Sequence, residues 1–471
     1  MNTGIFNDYA YLDAAEFIWT ADNDPNFKNL FIQGGRFLYG ITSEFVYGTF
    51  CNTISDLKWV RFFTLLGCVA FSTQIFAFLL SKKMKIYESA LFSFLILSIP
   101  SFSIYYGWSA TYEVPIVLNL SFLAGVILIN INKKKHKLLN YFIALFLIVL
   151  SLCLYQSAAT AFLIPFVFSV VLTKKISIKS IIHLLVFLVV SFSIYFVVFK
   201  LSLVWYQLEP INRTKIDLIK LPFKSIIFYL KEMRMLLYGS GFFVWPIVFL
   251  IIGAFSFLGF FYLNYTKKSE IPQFLLLMLF LILVLPLTYL PNLLSVDNYV
   301  CSRTIAPAAI LILFYQFIFF KELTKRNKGL RFLSLTLALI QVVLGSYNLN
   351  HYITRIHNKE FSALKTAFNK TPLNNTKKII IIRPNNEFLQ EFNFYKREYA
   401  DEFGHISSSR IWVPEPLFKQ ISKERLDLLN IEKKNLLENK VEVYNITEDF
   451  NDDDAIVINL VEILKKEFSK K

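Results

Sequence analysis

Residues 133 to 175 read KKKHKLLNYFIALFLIVLSLCLYQSAATAFLIPFVFSVVLTKK, and this stretch decides the fold class. Lysines at 133, 134, 135 and 137 lead it and Lys174 and Lys175 close it. Between them lie two apolar runs, 138 to 154 and 158 to 173, separated only by Tyr155-Gln156-Ser157-Ala158-Ala159. A helix crosses the hydrocarbon core of a bilayer in about 20 residues, so each run reads as a short span. The pair then forms a hairpin with both lysine clusters on one side of the membrane. A tight re-entrant pair is the alternative reading.

The same reading extends in both directions. Further apolar runs lie near 60 to 80, 87 to 105, 112 to 131, 180 to 204, 242 to 264, 272 to 290, 304 to 320 and 331 to 349, which makes about ten spans. Composition agrees. The 471 residues are 55% hydrophobic and 18% charged, against about 25% charged in a soluble domain, and the mean hydropathy is +0.50. The expected class is therefore an α-helical polytopic membrane protein. The net charge of +15 does not point to nucleic acid, because most of the excess cations occupy short loops between spans. Lys, Ile, Asn and Phe are abundant, as in an AT-rich bacterial genome, which suggests a bacterial plasma (inner) membrane. Cys51, Cys68, Cys153 and Cys301 follow no CxxC or Cys/His spacing, so neither a disulfide frame nor a zinc site is indicated.

Alternate loops carry the cations: Lys82, Lys83 and Lys85; the 133 to 137 cluster; Lys174, Lys175 and Lys179; Lys267 and Lys268; and Lys321, Lys325, Arg326, Lys328 and Arg331. The short intervening loops hold only Arg303. The positive-inside rule makes the first set cytoplasmic. Three long polar stretches then share the opposite face: a first loop over 1 to 58, a loop over 205 to 241 inside the membrane body of 59 to 349, and a tail over 350 to 471. The first loop is polar and the chain opens in it, so a further apolar span upstream is expected to deliver it across the membrane. The tail turns nearly neutral at His351. It holds the strand-like run Ile379-Ile380-Ile381-Ile382, a second strand at Val441 to Ile446 and a closing helix at Ala455 to Phe468. This reads as a small α/β soluble domain, without a Gly-rich phosphate loop or a nucleophile constellation.

The chemistry-bearing residues gather on the non-cytoplasmic side. The first loop reads as a short surface helix from Asn7 to Phe17, with Tyr9, Leu12 and Phe17 or Trp19 in the interface, followed by a turn at Asp22-Asn23-Asp24. Its carboxylates Asp8, Asp13 and Glu16 are of the type that activates a sugar hydroxyl; Asp8 could equally cap the helix. Glu113 opens the third span, where a carboxylate is a functional candidate unless it snorkels to water. Arg303 breaks the charge pattern at the outer end of a helix, and a guanidinium there suits a phosphate, an ion pair with Asp297 or a lipid headgroup. From Lys224 to Leu237 cations interleave with apolar residues, as in a basic amphipathic helix on anionic lipid.

The dispersed marks Asp8-Tyr9, Gly35-Arg36-Phe37-Leu38, Ile54-Ser55-Asp56-Leu57 followed by Arg61, Tyr155-Gln156, Arg303, and Glu402-Phe403-Gly404 with Ser407-Ser408 resemble bacterial multi-span glucosyltransferases of the O-antigen-modifying (Gtr) type, within the GT-C class. The resemblance implies a GT-C-like helical body and a polyprenyl-phosphate hexose as donor substrate. It implies an essential carboxylate in the first outer loop, which makes Asp8 the catalytic base, with Asp13 and Glu16 as alternatives. Arg36 and Arg303 would hold the donor phosphate, and Glu113, Tyr9, Tyr155 and Gln156 would complete the substrate site. The acceptor would be a surface glycan or lipid-linked glycan, and displacement would invert the anomeric carbon. Arginines at the departing phosphate could replace a divalent metal, for which no ligand set stands out. The family often carries adjacent acidic residues where this chain has Asn7-Asp8. The rival readings are an O-antigen polymerase or ligase and a transporter or flippase; the spans hold almost no charge at mid-depth, which a transporter would need.

Overall fold

The structure is a computed structural model describing residues 3–131, 136–237, 246–265, 271–327, 329–372, 378–392, 405–429, 441–445 and 455–469. Lys133, Lys134, Lys135, Lys267, Lys268, Lys328 and the Glu402-Phe403-Gly404 mark lie outside the described residues, as does the side chain of Arg331. Among the described residues seven helices are long and apolar enough to cross a membrane: Ile54–Ser81, Ser109–Ile129, Lys137–Leu154, Gln156–Thr173, Ile178–Tyr206, Ala306–Arg326 and Phe332–Lys370. An eighth span is a pair, Ile86–Ile96 and Pro100–Gly107, bent by 60°. The bend falls where Pro100 starts the second helix of the pair, because proline is tolerated at a first turn and not inside one. Two shorter apolar helices, Ile247–Leu263 and Pro272–Leu287, occupy the remaining two expected positions.

Lipid offers no hydrophobic drive between helices, so close packing and internal polar contacts hold the bundle. Gly125 lets its helix press on the helix Gln156–Thr173: a Cβ there would sit 2.2 Å from the Phe162 carbonyl oxygen. Asn119 donates to the carbonyls of Gly67 (2.9 Å) and Pro115 (2.7 Å), and the Ser72 hydroxyl to that of Ser93. Phe92, Phe168 and Phe314 meet at ring-centroid distances of 4.0 to 5.6 Å and lock three spans together. At the lysine-rich end Lys321 pairs with Glu88 at 2.6 Å.

The last span continues as helix far past the bilayer thickness. Its 39 residues amount to nearly 60 Å at about 1.5 Å each, and the upper part carries the C-terminal domain back over the bundle. That domain holds a parallel three-stranded sheet in the order β2-β1-β3, with β1 at Ile379–Arg383, β2 at Val441–Asn445 and β3 at Ile456–Asn459. Four consecutive isoleucines bury both faces of the central strand, as a covered parallel sheet requires. The expected closing helix is shorter than its sequence pattern. Ile456, Val457 and Ile458 pair with β1, and only then does Asn459 cap the helix Leu460–Phe468 through the N–H groups of Val461 and Glu462. β-Branching wins over helical periodicity where a strand partner is present.

The N-terminal segment departs further from expectation. Residues 7 to 13 form no helix, and the helix runs over Ala14–Asn23 instead, ending at the expected Asp22-Asn23-Asp24 turn. Tyr9, Tyr11 and Leu12 are buried in protein, not laid in a lipid interface. The cause is Arg61, whose buried guanidinium donates to the carbonyls of Ile5 (2.8 Å), Asn7 (2.6 Å) and Tyr9 (3.0 Å). The Asn7 and Tyr9 carbonyls are then turned toward Arg61 and away from a helix starting at residue 7. Replacing Arg61 with Met should destabilise the protein by roughly 3 kcal/mol or more, because three main-chain carbonyls lose their donor at about 1–3 kcal/mol for each left unsatisfied. Thermal unfolding in detergent and limited proteolysis ahead of Ala14 read this out. Lys should not rescue, since an ammonium lacks the fork that spans several carbonyls. Unchanged melting and cleavage would remove Arg61 from this role.

Candidate active site

At the end of the bundle opposite the Lys82, Lys174 and Lys321 loops lies a cavity of about 410 Å³. It collects residues from distant parts of the chain, and each arrives there for a local reason. Asp13 immediately precedes the helix Ala14–Asn23 without capping it. Its Oδ1 instead accepts a 2.7 Å hydrogen bond from the indole N–H of Trp412 in the C-terminal domain. Glu16, in the first turn of that helix, lines the cavity beside it.

Arg36 follows a turn at Gly34-Gly35. Gly35 has φ +72°, a region that side chains avoid, and its carbonyl accepts from the Gln156 amide (2.9 Å) and the Tyr195 hydroxyl (3.0 Å). The Gln156 amide also reaches the Tyr195 hydroxyl at 2.7 Å. This polar knot ties the first loop to the hairpin junction and to the sixth span. The Arg36 guanidinium lies 5.5 to 5.8 Å from the ring centres of Phe31, Tyr39 and Tyr155. Aromatic faces hold a cation without occupying its N–H donors.

Arg303 comes from the opposite wall, 4.7 Å from the ring centre of Trp108 and 5.9 Å from that of Tyr299. Its carbonyl accepts from the Tyr105 hydroxyl at 2.7 Å, which fixes the turn before the ninth span. Arg213 shares the other part of this wall, 4.7 Å from the Tyr299 ring centre. Its single 3-10 turn, Asn212–Thr214, is pinned by the Ile216–Ser295 bridge that follows it and by the Thr214 hydroxyl on the Gln33 carbonyl. Nearby, Lys224 points inward to the Ser295 carbonyl and Asp217. The basic segment therefore spends this cation on the protein, while Phe223, Ile226 and Leu230 stay exposed.

The structure brings together Asp13, Glu16, Arg36, Tyr155, Gln156 and Arg303. Three other candidates lie elsewhere. Asp8 is exposed outside the cavity and accepts from the Ser55 hydroxyl at 2.9 Å. Tyr9 is buried beneath the site, its hydroxyl on the Gly107 carbonyl (2.8 Å) and its ring 3.9 Å from the Arg61 guanidinium carbon. Glu113 is 1% exposed behind the wall and faces the charges of Arg36 and Arg303 from there. Trp108, Tyr299 and Trp412 have no signal in the sequence; Arg213 shows there only as one loop cation among several.

Comparison with known proteins bears on this arrangement. The family model described as glucosyl transferase GtrII matches residues 3–320. The chain belongs to that family. It is a glycosyltransferase, and no curated protein or solved structure gives a match. The GtrII match takes in the membrane body through the ninth span and the whole cavity wall except Trp412.

The two acidic groups of this GtrII member differ electrostatically. Burial pushes the Asp13 carboxyl up, opposed by the Trp412 hydrogen bond and then by the charges of Arg303, Arg410 and Arg36. Glu16 is raised to about 7 from 4.5, first by burial and then by the charge of Asp13. A carboxyl that titrates higher in the folded than in the unfolded state loses stability as pH rises from about 4.5 to about 7. Glu16→Gln should therefore gain thermal stability relative to the native chain at pH 8 and not at pH 4. An equal difference at both would contradict this account of Glu16. At Gly35 an added Cβ would meet the Tyr195 hydroxyl at 2.4 Å and the Gln156 amide at 2.8 Å. Gly35→Ala should lower thermal stability by the ~1–3 kcal/mol of a strained left-handed residue and lower transfer as the displaced turn carries Arg36 out of place. Unaltered turnover would show that the knot does not set the position of Arg36.

Proposed function

We propose that this membrane glycosyltransferase moves a hexose, glucose by its family, from a polyprenyl-phosphate donor to a surface glycan or lipid-linked acceptor on the non-cytoplasmic face. The observation that carries the reading is the convergence of the Asp13/Glu16 pair with Arg36 and Arg303 on one cavity. Sidedness rests on charge. Lys82, Lys174 and Lys321 lie at helix ends away from the cavity, and short basic loops stay cytoplasmic. The bacterial plasma membrane is the setting that such a donor requires.

The chemistry follows from the charges. Asp13 is the base because it lines the cavity with Arg36 and Arg303; burial pushes its carboxyl up, and the Trp412 indole N–H and the charges of Arg303, Arg410 and Arg36 oppose that rise. It takes the proton of an acceptor hydroxyl as that oxygen attacks the anomeric carbon. The bond from this carbon to the phosphate oxygen breaks, and its electron pair leaves with the lipid phosphate. Arg36 and Arg303 receive that growing negative charge in a water-poor site, where fixed cations act most strongly. A single displacement inverts the carbon. Glu16, its carboxyl raised to about 7 by burial and then by the charge of Asp13, is placed to hydrogen-bond a sugar hydroxyl. Phe192, Phe196 and Phe199 on the sixth span give the cavity an apolar flank for the isoprenoid chain.

Asp13→Asn and Asp8→Asn, each expressed in cells lacking the native gene, separate the two candidate bases. Glucose incorporated into surface glycan should fall about 10²- to 10⁴-fold for Asp13→Asn, the range for losing a general base, and stay near native for Asp8→Asn. Loss with Asp8→Asn and retention with Asp13→Asn would return the role to Asp8.

A further inference from the structure

The part of the chain beyond the family match folds back onto the segment that carries Asp13. Leu12, the residue before it, adopts φ +47°, a left-handed conformation costly for a leucine. Its N–H is held by the Ser407 hydroxyl at 2.9 Å. The Ser407 and Ser408 N–H groups in turn bind the two oxygens of the Glu360 carboxylate at 2.9 and 2.7 Å. His357 lies 3.1 Å from the Ser407 hydroxyl and stacks on Tyr11 at 4.1 Å. This Ser, His and Glu cluster is no nucleophile relay. Serine and carboxylate both meet the same Nδ1 of His357, and Ser407 and His357 are buried at 2% and 0% exposure. It acts as a clamp on the backbone next to the base.

Trp412 completes this arrangement. It is 47% exposed, stands in the cavity wall and gives its indole N–H to Asp13 Oδ1. Among the described residues this is the side-chain hydrogen bond that Asp13 makes, which leaves Oδ2 to receive a proton. We propose that Trp412 is a positioning residue for glucosyl transfer, orienting the Asp13 carboxylate toward the acceptor while the Glu360–Ser407 clamp holds its backbone. The C-terminal domain then completes the active site instead of merely covering it. The inference rests on Asp13 being the base.

The pH profile reads this role. The charged and titratable groups facing Asp13 are Glu16 on its own helix and Arg36, Arg303 and Arg410 from other elements. Glu16, Arg36 and Arg303 stay when Trp412 is changed, and Phe keeps an aromatic ring beside Arg410, which lies 5.9 Å from the Trp412 ring centre, whereas the hydrogen bond that favours the carboxylate is lost. The base then protonates at higher pH, and below that point its ionised fraction falls about tenfold for each pH unit.

The test uses full-length protein in native membranes given radiolabelled polyprenyl-phosphate glucose, with label read in endogenous glycan from pH 5 to 9. Trp412→Phe should move the acid limb up by about one pH unit and lower kcat below it about tenfold, with KM for the donor unchanged. Trp412→Gln, which keeps an N–H donor, should restore the limb. An unchanged Trp412→Phe profile with an inactive Asp13→Asn would overturn the positioning role and leave the base in place. Equal loss at every pH in both Trp412 variants would make the contact structural and overturn the role as well. Full activity of Asp13→Asn would overturn the base, and the inference with it.

Discussion

Everything at the cavity end of the bundle depends on a guanidinium that spends its hydrogen bonds, among the described residues, on main-chain carbonyls. Arg61 is 1% exposed, and its donors go to the main chain of Ile5, Asn7 and Tyr9, with the Tyr9 ring beneath it. Burying such a charge costs several kcal/mol, and three charge-assisted bonds at about 1.5–3 kcal/mol each offset it. The offset works only if the N-terminal segment lies across the mouth of the bundle in one conformation. That segment is thereby converted from a surface element into one wall of a cavity. Its next residues are the strained Leu12 and then Asp13.

The opposite walls use a different device. Arg36 and Arg303 are seated on aromatic rings contributed by the loop, the hairpin junction and the turns before the third and ninth spans. A stacked guanidinium is rigid in position and still presents N–H groups at its edge, as recognition of a phosphate demands. The polar knot of Gly35, Gln156 and Tyr195 keeps this seating in register with the carboxylates. Charge placement and helix packing are thus parts of one construction.

The spans were the legible part. Apolar length and the alternation of lysines pointed to about ten apolar segments; among the described residues seven are helices long enough to cross a membrane, one is a bent pair and two are shorter apolar helices, because lipid imposes a length and a composition on each span. Arg303 could be singled out as the cation that breaks the charge pattern, and Arg36, Tyr155 and Gln156 through the family resemblance. The N-terminal segment could not be read as it folds. Its amphipathic pattern favours a surface helix, and the arginine that prevents this lies in another element. Asp8 and Asp13 are equivalent in sequence; only the fold shows one against Ser55 and the other against Trp412. Trp412 lies about 400 residues from its partner, a separation that periodicity and spacing cannot bridge. In the tail, Ile456 to Ile458 fitted a helix until a strand partner was in place.

The central claim is that one cavity presents a carboxylate to the sugar and arginines to its phosphate. A structure of the full-length protein in lipid nanodiscs with polyprenyl-phosphate glucose bound tests it most directly. The account predicts the phosphate between Arg36 and Arg303, with the face of the anomeric carbon opposite the phosphate turned toward Asp13. A donor phosphate bound away from both arginines, or a sugar facing Asp8, would contradict it.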